Sequence, residues 1–436
     1  MLLRLAASGE FSGAVVIGDT SGIRYMRGFG YADREKRIAF GPATPTDGAS
    51  LAKPMIAALV LMLVHEGRIE LDSPVRRYVP EYPHHTTSVR HLLEHSGGLP
   101  DYDAFQTMLD GDKPVGTLNL LDEVRARHPS PTFDPGSAFG YCNLCYDALA
   151  LLVERVERQP FEAVLRAKIA RPLGMSSAFL RPARFADWQG TRTRGYRRTS
   201  DGWALNDAFD NEGFYGGGNV YLSALDLHAW TRGWWKNSGP LQSVRSTALG
   251  PALDAGSRTG LTLGNWYCDQ SATRCHYRGH HQGFHNFGYW DANKRLSIAF
   301  VSNSTLPVTL QAHLPRALIR LAEGREPKLP DSAGVSASIA APFEIEGRYD
   351  VPGVGRVMIE KPAQVTLLRV GNGPAYRMFA IGSGPLYVPG LDVYVSPLRQ
   401  ARGIEWLSVY RHATAARKSS DQSSFANKKS AEQEWP

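Results

Sequence analysis

The stretch Asp47-Gly-Ala-Ser50-Leu-Ala-Lys53-Pro-Met55 places a serine and a lysine three residues apart at the start of an apolar run. On a helix, residues at i and i+3 lie on one face, so the lysine ammonium would lie beside the serine hydroxyl. Burial and nearby positive charge lower the pKa of a lysine, which would allow Lys53 to accept the serine proton near neutral pH. N–H groups at the helix start would stabilise an oxyanion beside Ser50. The pattern indicates a nucleophilic serine, although a serine N-cap followed by a solvated lysine gives the same spacing.

The same run predicts a buried helix from Leu51 to Glu66. Its residues are apolar nearly all round the helix, and Gly67 follows as a stop signal. Pro54 fits the first turn, where a missing N–H costs little. The longest apolar stretch, Met55 to Val64, has ten residues, whereas a membrane-spanning helix needs about twenty. We therefore expect this helix in a protein core and predict no membrane span.

Two further segments carry polar residues suited to acyl transfer. Phe139-Gly-Tyr141-Cys-Asn143 stands just before an apolar helical pattern. Arg278-Gly-His280-His281-Gln282-Gly283-Phe284 stands ahead of two strand-like runs. The chain order is therefore Ser-x-x-Lys, Tyr-x-Asn and His-x-Gly.

In this order the three motifs resemble those of the active-site serine β-lactamases and penicillin-binding proteins. Tyr-x-Asn with His-x-Gly is similar to the branch of class C β-lactamases, D-Ala-D-Ala carboxypeptidases, family VIII esterases and D-aminopeptidases. The class A motifs Ser-Asp-Asn and Lys-Thr-Gly do not occur in the sequence. The resemblance covers roughly residues 10 to 325 and extends to Phe29-Gly-Tyr-Ala-Asp-Arg34, His91-Leu-Leu-Glu-His-Ser-Gly-Gly-Leu-Pro100 and Gly217-Gly-Asn-Val-Tyr-Leu-Ser-Ala-Leu-Asp-Leu227.

The resemblance implies a role for each residue of the first two motifs. Ser50 would be the acylated nucleophile. Lys53 and Tyr141 would share proton transfer, with Tyr141 as the expected base for serine or for the deacylating water. Asn143 would hydrogen-bond the substrate amide or hold Lys53. The resemblance implies no cofactor and no metal.

The third motif is expected to supply substrate contacts and an oxyanion donor. His281 would orient the substrate or the Tyr141 network, and the backbone N–H of Phe284 would form the oxyanion hole with that of Ser50. If the motif is instead aligned one residue earlier, on Gly279-His280-His281-Gln282-Gly283, His280 becomes the motif histidine. We favour His281, because Gly283 then takes the glycine position. The residues expected to contact substrate are Gly283, His280 and Gln282.

The order of strand-like and helical patterns predicts an α/β (α+β) fold, which includes a helix with Ser223 as its N-cap and a helix from about Leu314 to Glu323. Residues 1–325 are expected to form the hydrolase domain, an antiparallel sheet flanked by helices, with a mostly helical insert at roughly 70–205. Residues 326–341, rich in Pro, Ser, Ala and Gly, read as a linker. Residues 342–413 read as a small all-β domain that resembles the lipocalin-like or β-barrel domains of some D-aminopeptidases, and residues 414–436 as a disordered tail.

Composition bounds the classes of function. The chain has 436 residues, of which 43% are hydrophobic and 21% charged, which excludes wholesale disorder, collagen-like chains and polytopic membrane proteins. The net charge of +7 (49 − 42) is mild and the basic residues are scattered, so we predict no nucleic-acid partner. The expected partner is a small-molecule or short-peptide substrate. The N-terminus lacks a signal-peptide pattern, which favours the cytoplasm, or the periplasm or secretion if a leader has been removed; the oligomeric state is left open.

Four cysteines form two close pairs, Cys142 with Cys145 and Cys268 with Cys275. The spacing suits two local disulfides, a four-cysteine zinc site or free thiols, so the redox compartment is not determined. Because the middle position of Tyr-x-Asn varies in the family, Cys142 reads as a small filler.

The histidines read as structural or orienting residues. His280, His281 and His285 have no carboxylate at a helical or hairpin ligand spacing, so no metal site is predicted. His95 is expected to be a hydrogen-bonded core residue.

We therefore predict a serine hydrolase that acts through a Ser50 acyl-enzyme on an ester, an amide or a β-lactam. An esterase or D-amino-acid peptidase is favoured over a β-lactamase. The alternative is a non-catalytic penicillin-binding or scaffold protein that keeps the fold.

Overall fold

The computed structural model carries side chains and describes most of the chain. The described residues are 1–102, 113–190, 192–199, 201–208, 210, 212–250, 261–269, 271–327, 337–338, 344–351, 354–362, 365–371, 373–381, 385–389, 391, 393–398, 403–408 and 414–417.

Helices occur mainly in the first two thirds of the chain. They are α1 (Leu2–Ala7), α2 (Ala52–His65), α3 (Val89–Leu93), α4 (Thr117–Arg127), α5 (Asn143–Glu157), α6 (Phe161–Leu165), α7 (Arg171–Leu173), α8 (Ala224–Gly233), α9 (Arg245–Leu249) and α10 (Val308–Ala322). Single 3₁₀ or π turns lie at Ala49–Leu51, Val75–Arg77, Arg166–Ala170 and Phe185–Asp187.

The described residues before residue 303 form fifteen strands. They are β1 (Gly13–Asp19), β2 (Gly22–Phe29), β3 (Tyr31–Asp33), β4 (Ile38–Ala39), β5 (Thr46–Asp47), β6 (Val115–Gly116), β7 (Phe179–Leu180), β8 (Tyr196–Thr199), β9 (Gly202–Leu205), β10 (Glu212–Gly213), β11 (Val220–Leu222), β12 (Tyr267–Cys268), β13 (Arg274–His281), β14 (Phe284–Asp291) and β15 (Leu296–Ser302).

The main sheet joins both ends of the hydrolase region. Its strand order is β12-β13-β14-β15-β1-β2, and all neighbouring strands are antiparallel. Alternate side chains of β1 enter different cores, as the period of two in a strand requires. Ala14 and Val16 pack in the core that contains α2, whereas Val15 and Ile17 pack in the core that contains α1 and α10. The predicted antiparallel sheet flanked by helices is confirmed.

The C-terminal part of the chain is all β, as predicted. Its strands are β16 (Ala337–Ser338), β17 (Gly347–Val351), β18 (Gly355–Glu360), β19 (Thr366–Val370), β20 (Ala375–Ile381), β21 (Leu386–Val388), β22 (Val393–Pro397), β23 (Gly403–Ser408) and β24 (Thr414–Arg417). Strands β17 to β24 pair in sequence order, and β16 pairs with β20. Strands β17 and β24 lie next to each other, so the sheet curls back on itself.

Several element boundaries differ from the prediction. The expected tail at 414–436 begins with a strand, because Thr414–Arg417 pairs with β23; residues 418–436 lie outside the described residues, as does most of the expected linker at 326–341. The end of the expected helical insert holds the short strands β7, β8 and β9. The domain boundaries stay predictions.

Other elements agree closely with the sequence pattern. Helix α2 begins and ends one residue inside the predicted bounds. Ser223 caps α8 and forms a capping box with Asp226, which confirms the predicted N-cap. Helix α10 begins at Val308, earlier than the expected Leu314, and contains Pro315.

Candidate active site

Ser50 lies in a tight turn between β5 and α2. Ala49, the residue before it, has φ of 48°, a left-handed conformation that a residue with a Cβ seldom adopts. The carboxylate of Asp47 accepts a hydrogen bond from the Ala49 N–H at 2.7 Å and so supports this turn. Strain of this kind persists where the surrounding structure fixes it, often at an active site. The turn presents the Ser50 hydroxyl at the N-terminus of α2.

Lys53 is fully buried and directs its ammonium at the serine. Its Nζ donates to Ser50 Oγ at 3.2 Å, to Asn143 Oδ1 at 2.7 Å and to the Gly217 carbonyl at 2.6 Å. An ammonium has three N–H donors, so these three acceptors use all of them. These contacts hold the lysine side-chain nitrogen beside the serine hydroxyl.

Tyr141 approaches the serine from the other side. Its hydroxyl donates to Ser50 Oγ at 2.7 Å, and its ring stacks on His95 with centroids 4.5 Å apart. His95 accepts the Cys142 N–H at Nδ1 at 3.0 Å. Burial, and then the charge of Lys53, lower the pKa of His95 to about 3. His95 is therefore a neutral platform that fixes the tyrosine, which agrees with its expected structural role.

Asn143 links the lysine to a buried carboxylate. Its Nδ2 donates to Asp101 Oδ2 at 2.7 Å, and its backbone N–H donates to Asp101 Oδ1 at 3.0 Å. Burial raises the pKa of Asp101 to about 6, although Lys53 and the hydrogen bonds oppose the shift. Asp147, which accepts from Gly216 N–H and Tyr102 hydroxyl, has its pKa raised by burial to about 6 as well. The first two motifs thus form one hydrogen-bonded cluster around Ser50.

The edge of β13 forms the opposite wall of the site. A Cβ on Gly279 would lie 2.1 Å from the Gly48 carbonyl oxygen, so the strand passes in direct contact with the serine turn and only glycine fits there. Tyr277, two residues earlier and on the same face of the strand, lines the same cavity as Ser50 and Tyr141. Sequence reasoning missed Tyr277; its place on the Gly279 face of the strand was the available signal.

Gly283, the glycine of the third motif, packs against a different part of the chain from Gly279. A Cβ on Gly283 would meet the backbone of Tyr196 and Asn206 at 2.4 and 2.5 Å, and the Gly283 N–H donates to the Asn206 carbonyl at 2.7 Å. Gly283 and Gln282 form the turn between β13 and β14. The structure therefore does not support the expected approach of Gly283 to substrate, because its close contact is with the loop before β8 and the segment after β9.

The expected oxyanion donor also changes. In an antiparallel hairpin with a two-residue turn, the pair that closes the turn is hydrogen-bonded and the next pair is not. His281 pairs with Phe284 next to the turn, and His280 pairs with His285. The Phe284 N–H is thus bonded within the sheet, whereas the His280 N–H points to the other side of β13, where, among the described residues, β12 pairs only as far as His276. The expected role of the Phe284 N–H as an oxyanion donor is therefore not supported, and the His280 N–H is the candidate in its place.

The side chain of His281 contacts two carboxylates and does not line the cavity at Ser50. Its Nδ1 lies 3.0 Å from Asp47 Oδ2 and its Nε2 lies 3.7 Å from Glu212 Oε2. Burial opposes a charge there, but Glu212 and Asp47 raise the pKa of His281 to about 10. His281 is an imidazolium that ties β13 to the strand before Ser50, and the preference for it as the substrate-orienting histidine is not supported by these contacts.

The side chain of His280 lies in the cleft. It stacks on His285 with centroids 3.8 Å apart and lines a cavity of about 290 Å³ that also contains Ser50, Tyr141 and Tyr277. The His280 side chain is also exposed to solvent. The cleft therefore presents an accessible imidazole.

Both cysteine pairs form disulfides, Cys142–Cys145 at the start of α5 and Cys268–Cys275 between β12 and β13. The reading of Cys142 as a filler is corrected, since it is also the N-cap of α5.

Among the described residues, no group of three His, Cys, Asp or Glu side chains is placed to hold a metal ion. In the same part of the chain, no helix is long and apolar enough to cross a membrane.

Comparison with known proteins agrees with this arrangement. A family model described as Beta-lactamase matches residues 4–323. Penicillin-binding protein 4* of Bacillus subtilis is 24% identical over 378 residues, which cover 82% of this chain and 82% of that protein. Esterase EstB of Burkholderia gladioli is 34% identical over 198 residues, which cover 40% of this chain and 49% of the esterase.

Two solved structures share the fold. The octameric penicillin-binding protein homologue from Pyrococcus abyssi superposes with a TM-score of 0.65 at 20% identity and covers 95% of this chain and 98% of its own. The D-amino acid amidase from Ochrobactrum anthropi SV3 gives a TM-score of 0.58 at 20% identity and covers 70% of this chain and 89% of its own. The first likeness extends over the C-terminal all-β domain.

Proposed function

Because the chain belongs to the beta-lactamase family, whose model spans residues 4–323, we propose that this serine hydrolase transfers the acyl group of a small ester or amide to Ser50 and then to water. The observation that carries the proposal is the convergence of two groups on one hydroxyl. Tyr141 Oη lies 2.7 Å and Lys53 Nζ 3.2 Å from Ser50 Oγ, within the range that proton transfer requires.

Tyr141 is the proton acceptor in this proposal. The lysine uses its three N–H donors on three acceptors, so it has no lone pair free for the serine proton. Its positive charge stabilises a tyrosinate and the developing serine alkoxide. Tyr141 first loses its own hydroxyl proton to solvent and acts as a phenolate. As Ser50 Oγ attacks the carbonyl carbon, the serine proton moves to Tyr141 Oη, and Tyr141 then donates it to the leaving group as the bond from the carbonyl carbon to that group breaks. Water repeats the sequence on the acyl-enzyme and releases the acid.

The tetrahedral oxyanion would be bound by two backbone N–H groups. One belongs to Ser50, in the first turn before α2, where N–H groups lack intrahelical acceptors. The other belongs to His280, on the side of β13 that pairs with no other described strand beyond His276. Backbone donors on a helix start and on a sheet edge are rigid, which is what oxyanion stabilisation requires.

An ester is the favoured substrate within the proposed class. Esterase EstB shares 34% identity with this chain over 198 residues, whereas the likeness to the D-amino acid amidase is one of fold. The competing proposal is a penicillin-binding protein that is acylated but turns over slowly, which the likeness to penicillin-binding protein 4* favours. A non-catalytic scaffold is disfavoured because Ser50, Lys53 and Tyr141 are in mutual hydrogen-bond contact.

Labelling and turnover separate these proposals. The chain is treated with a fluorophosphonate probe and with fluorescent penicillin, and the labelled peptide is identified by mass spectrometry. Hydrolysis of p-nitrophenyl esters, nitrocefin and D-amino-acid anilides is then measured. The esterase proposal predicts a fluorophosphonate adduct on Ser50 and multiple turnovers of the esters. Stable penicillin labelling without turnover of any substrate would favour the penicillin-binding protein, and no adduct on Ser50 would refute an acyl-enzyme.

A further inference from the structure

Both the hydrolase region and the C-terminal all-β domain contribute residues to the lining of the cavity at Ser50. Tyr141 and Tyr277 come from the hydrolase body, whereas Tyr376, Tyr387 and Pro389 come from the C-terminal all-β domain. The catalytic cleft is therefore not complete without the C-terminal domain.

The turn before β20 is seated on the segment that carries Tyr141. A Cβ on Gly373 would lie 2.2 Å from the Phe139 carbonyl oxygen, so the two backbones are in contact. A Cβ on Gly140 would lie 3.3 Å from Pro374 Cδ. Tyr376 follows this turn at the start of β20, where it pairs with Leu368 of β19. The tyrosine ring thus stands on a strand of the sheet rather than on a loop, which makes it a rigid wall.

A second contact anchors the domain behind the cavity. Tyr394 donates a hydrogen bond from its hydroxyl to the Ala312 carbonyl of α10 at 2.6 Å. Tyr387 packs with Ala312 and Tyr394 in a small apolar cluster. Arg278 lies over the Tyr387 ring and donates to the Gln311 carbonyl at 2.6 Å. The wall is therefore held on both sides of the cleft.

The chemistry of the cavity lining limits what fits it. A volume of about 290 Å³ is at the small end for ligand pockets. No carboxylate occurs among the described residues that line it, so a substrate ammonium would find no counter-charge there. The charged group in the lining is the Arg278 guanidinium, and burial lowers the pKa of the neighbouring His285. The remaining lining is largely aromatic and aliphatic, with Phe287, Leu310, Leu314 and Leu318 in addition to the tyrosines.

We propose that the C-terminal domain closes the acyl pocket, that Tyr376 sets the size of the acyl group, and that the substrates carry a compact aromatic or aliphatic acyl group without a positive charge. This inference rests on the proposed acyl-enzyme function. An α-ammonium group on the acyl side, as in an amino-acid amide, is excluded because transfer of an unpaired charge into such a lining is costly.

Variants of Tyr376 test the size of the pocket. The ratio of kcat/KM for p-nitrophenyl octanoate to that for the butyrate is measured in the wild type and in Tyr376→Phe, Tyr376→Ala and Tyr376→Trp. Tyr376→Phe keeps the ring and should leave the ratio unchanged. Tyr376→Ala removes the wall and should raise the ratio about tenfold, the effect of a methylene-scale change in a hydrophobic pocket. Tyr376→Trp should lower the ratio, which keeps the test decisive if the alanine variant does not fold.

A matched pair of amides tests the charge of the acyl group. The 3-phenylpropanoyl p-nitroanilide and D-phenylalanine p-nitroanilide differ only in the α-ammonium, and the uncharged compound should be hydrolysed at least about tenfold better. Tyr349→Phe is the control, because its hydroxyl bonds the Ile345 carbonyl within the same domain and does not line the cavity.

Fluorophosphonate labelling of Ser50 in every variant separates the two levels of the proposal. If Ser50 is labelled but the octanoate ratio is the same in the wild type and in Tyr376→Ala and Tyr376→Trp, the pocket inference is wrong and the acyl-enzyme stands. Preference for the D-phenylalanine anilide would overturn the inference on charge. Failure of Ser50 to react in the wild type would overturn the proposed function itself.

Discussion

The active site has a helix wall on α2 and a strand wall on β13, and the two depend on different kinds of contact. The wall on α2 depends on a local repeat, because residues three apart on a helix must lie together, and Lys53 reaches Ser50 Oγ at 3.2 Å. The wall on β13 depends on which edge of the sheet is free and on the register with β14. A shift of the strand register by one residue moves every side chain to the opposite face of the sheet. It also exchanges the N–H groups that bond the neighbouring strand with those that point away from it. Motif letters therefore identify helix residues reliably, but leave strand residues ambiguous.

The largest effect should come from the helix wall. Ser50→Ala removes the nucleophile and should lower kcat by roughly 10⁴-fold or more, since the residue acts as part of a coupled unit. Fluorophosphonate labelling should disappear while the circular dichroism spectrum is unchanged. Ser21→Ala, at an exposed serine, is the control and should keep wild-type turnover. Full activity in Ser50→Ala would place the nucleophile elsewhere.

A smaller loss should follow from Tyr141→Phe, which keeps the ring on His95 and deletes only the hydroxyl. Positioned proton transfer contributes on the order of 10²–10⁴-fold, so kcat should fall by that range while KM changes little. Steady-state kinetics give kcat and KM for Tyr141→Phe, and Tyr349→Phe, which changes a tyrosine outside the cavity, is the control. A change confined to KM would make Tyr141 a binding residue rather than the base.

The strand wall is tested by His280→Pro against His280→Ala. Proline removes the N–H, and an outward-facing edge position tolerates it; loss of one oxyanion donor should lower kcat about 10²–10³-fold. Alanine keeps the N–H, so kcat should stay within about threefold of wild type. Phe284→Ala keeps its N–H too and serves as a packing control. Equal losses in the proline and alanine variants would show that the imidazole, not the backbone, is the functional group.

The smallest effect concerns the imidazolium that joins the two walls. The pKa of His281 is raised to about 10 by Glu212 and Asp47 against burial, whereas an unfolded histidine titrates near 6.5. The stabilisation by this ion pair is therefore complete below about pH 6.5 and is lost as pH rises through about 10. The melting temperature of His281→Gln should lie a few degrees below that of wild type at pH 6.

Thermal melts at pH 6, 8 and 10 measure this difference, which should shrink as pH rises. His85→Gln, at an exposed histidine, should show no such trend. A difference that is constant with pH would mean that His281 stabilises the protein through packing and not through charge.

The sequence by itself determined which residues form the candidate catalytic cluster on the helix wall. The apolar run that buries α2 and the Ser-x-x-Lys spacing are local, and the Tyr-x-Asn segment is positioned by the helix it begins. The antiparallel sheet, the Ser223 cap and the C-terminal all-β domain were also readable, since each rests on a short-range pattern of turns and alternating residues.

Only the tertiary structure decided the rest of the site. The pairing of His281 with Phe284 assigned the free N–H to His280, and the contact of Gly279 with Gly48 selected the glycine that matters. Glu212 and Tyr376 are far from the motifs in sequence, and no local period brings them to the site. Contacts between distant segments are fixed by strand register and domain packing, for which a single sequence carries no local signal.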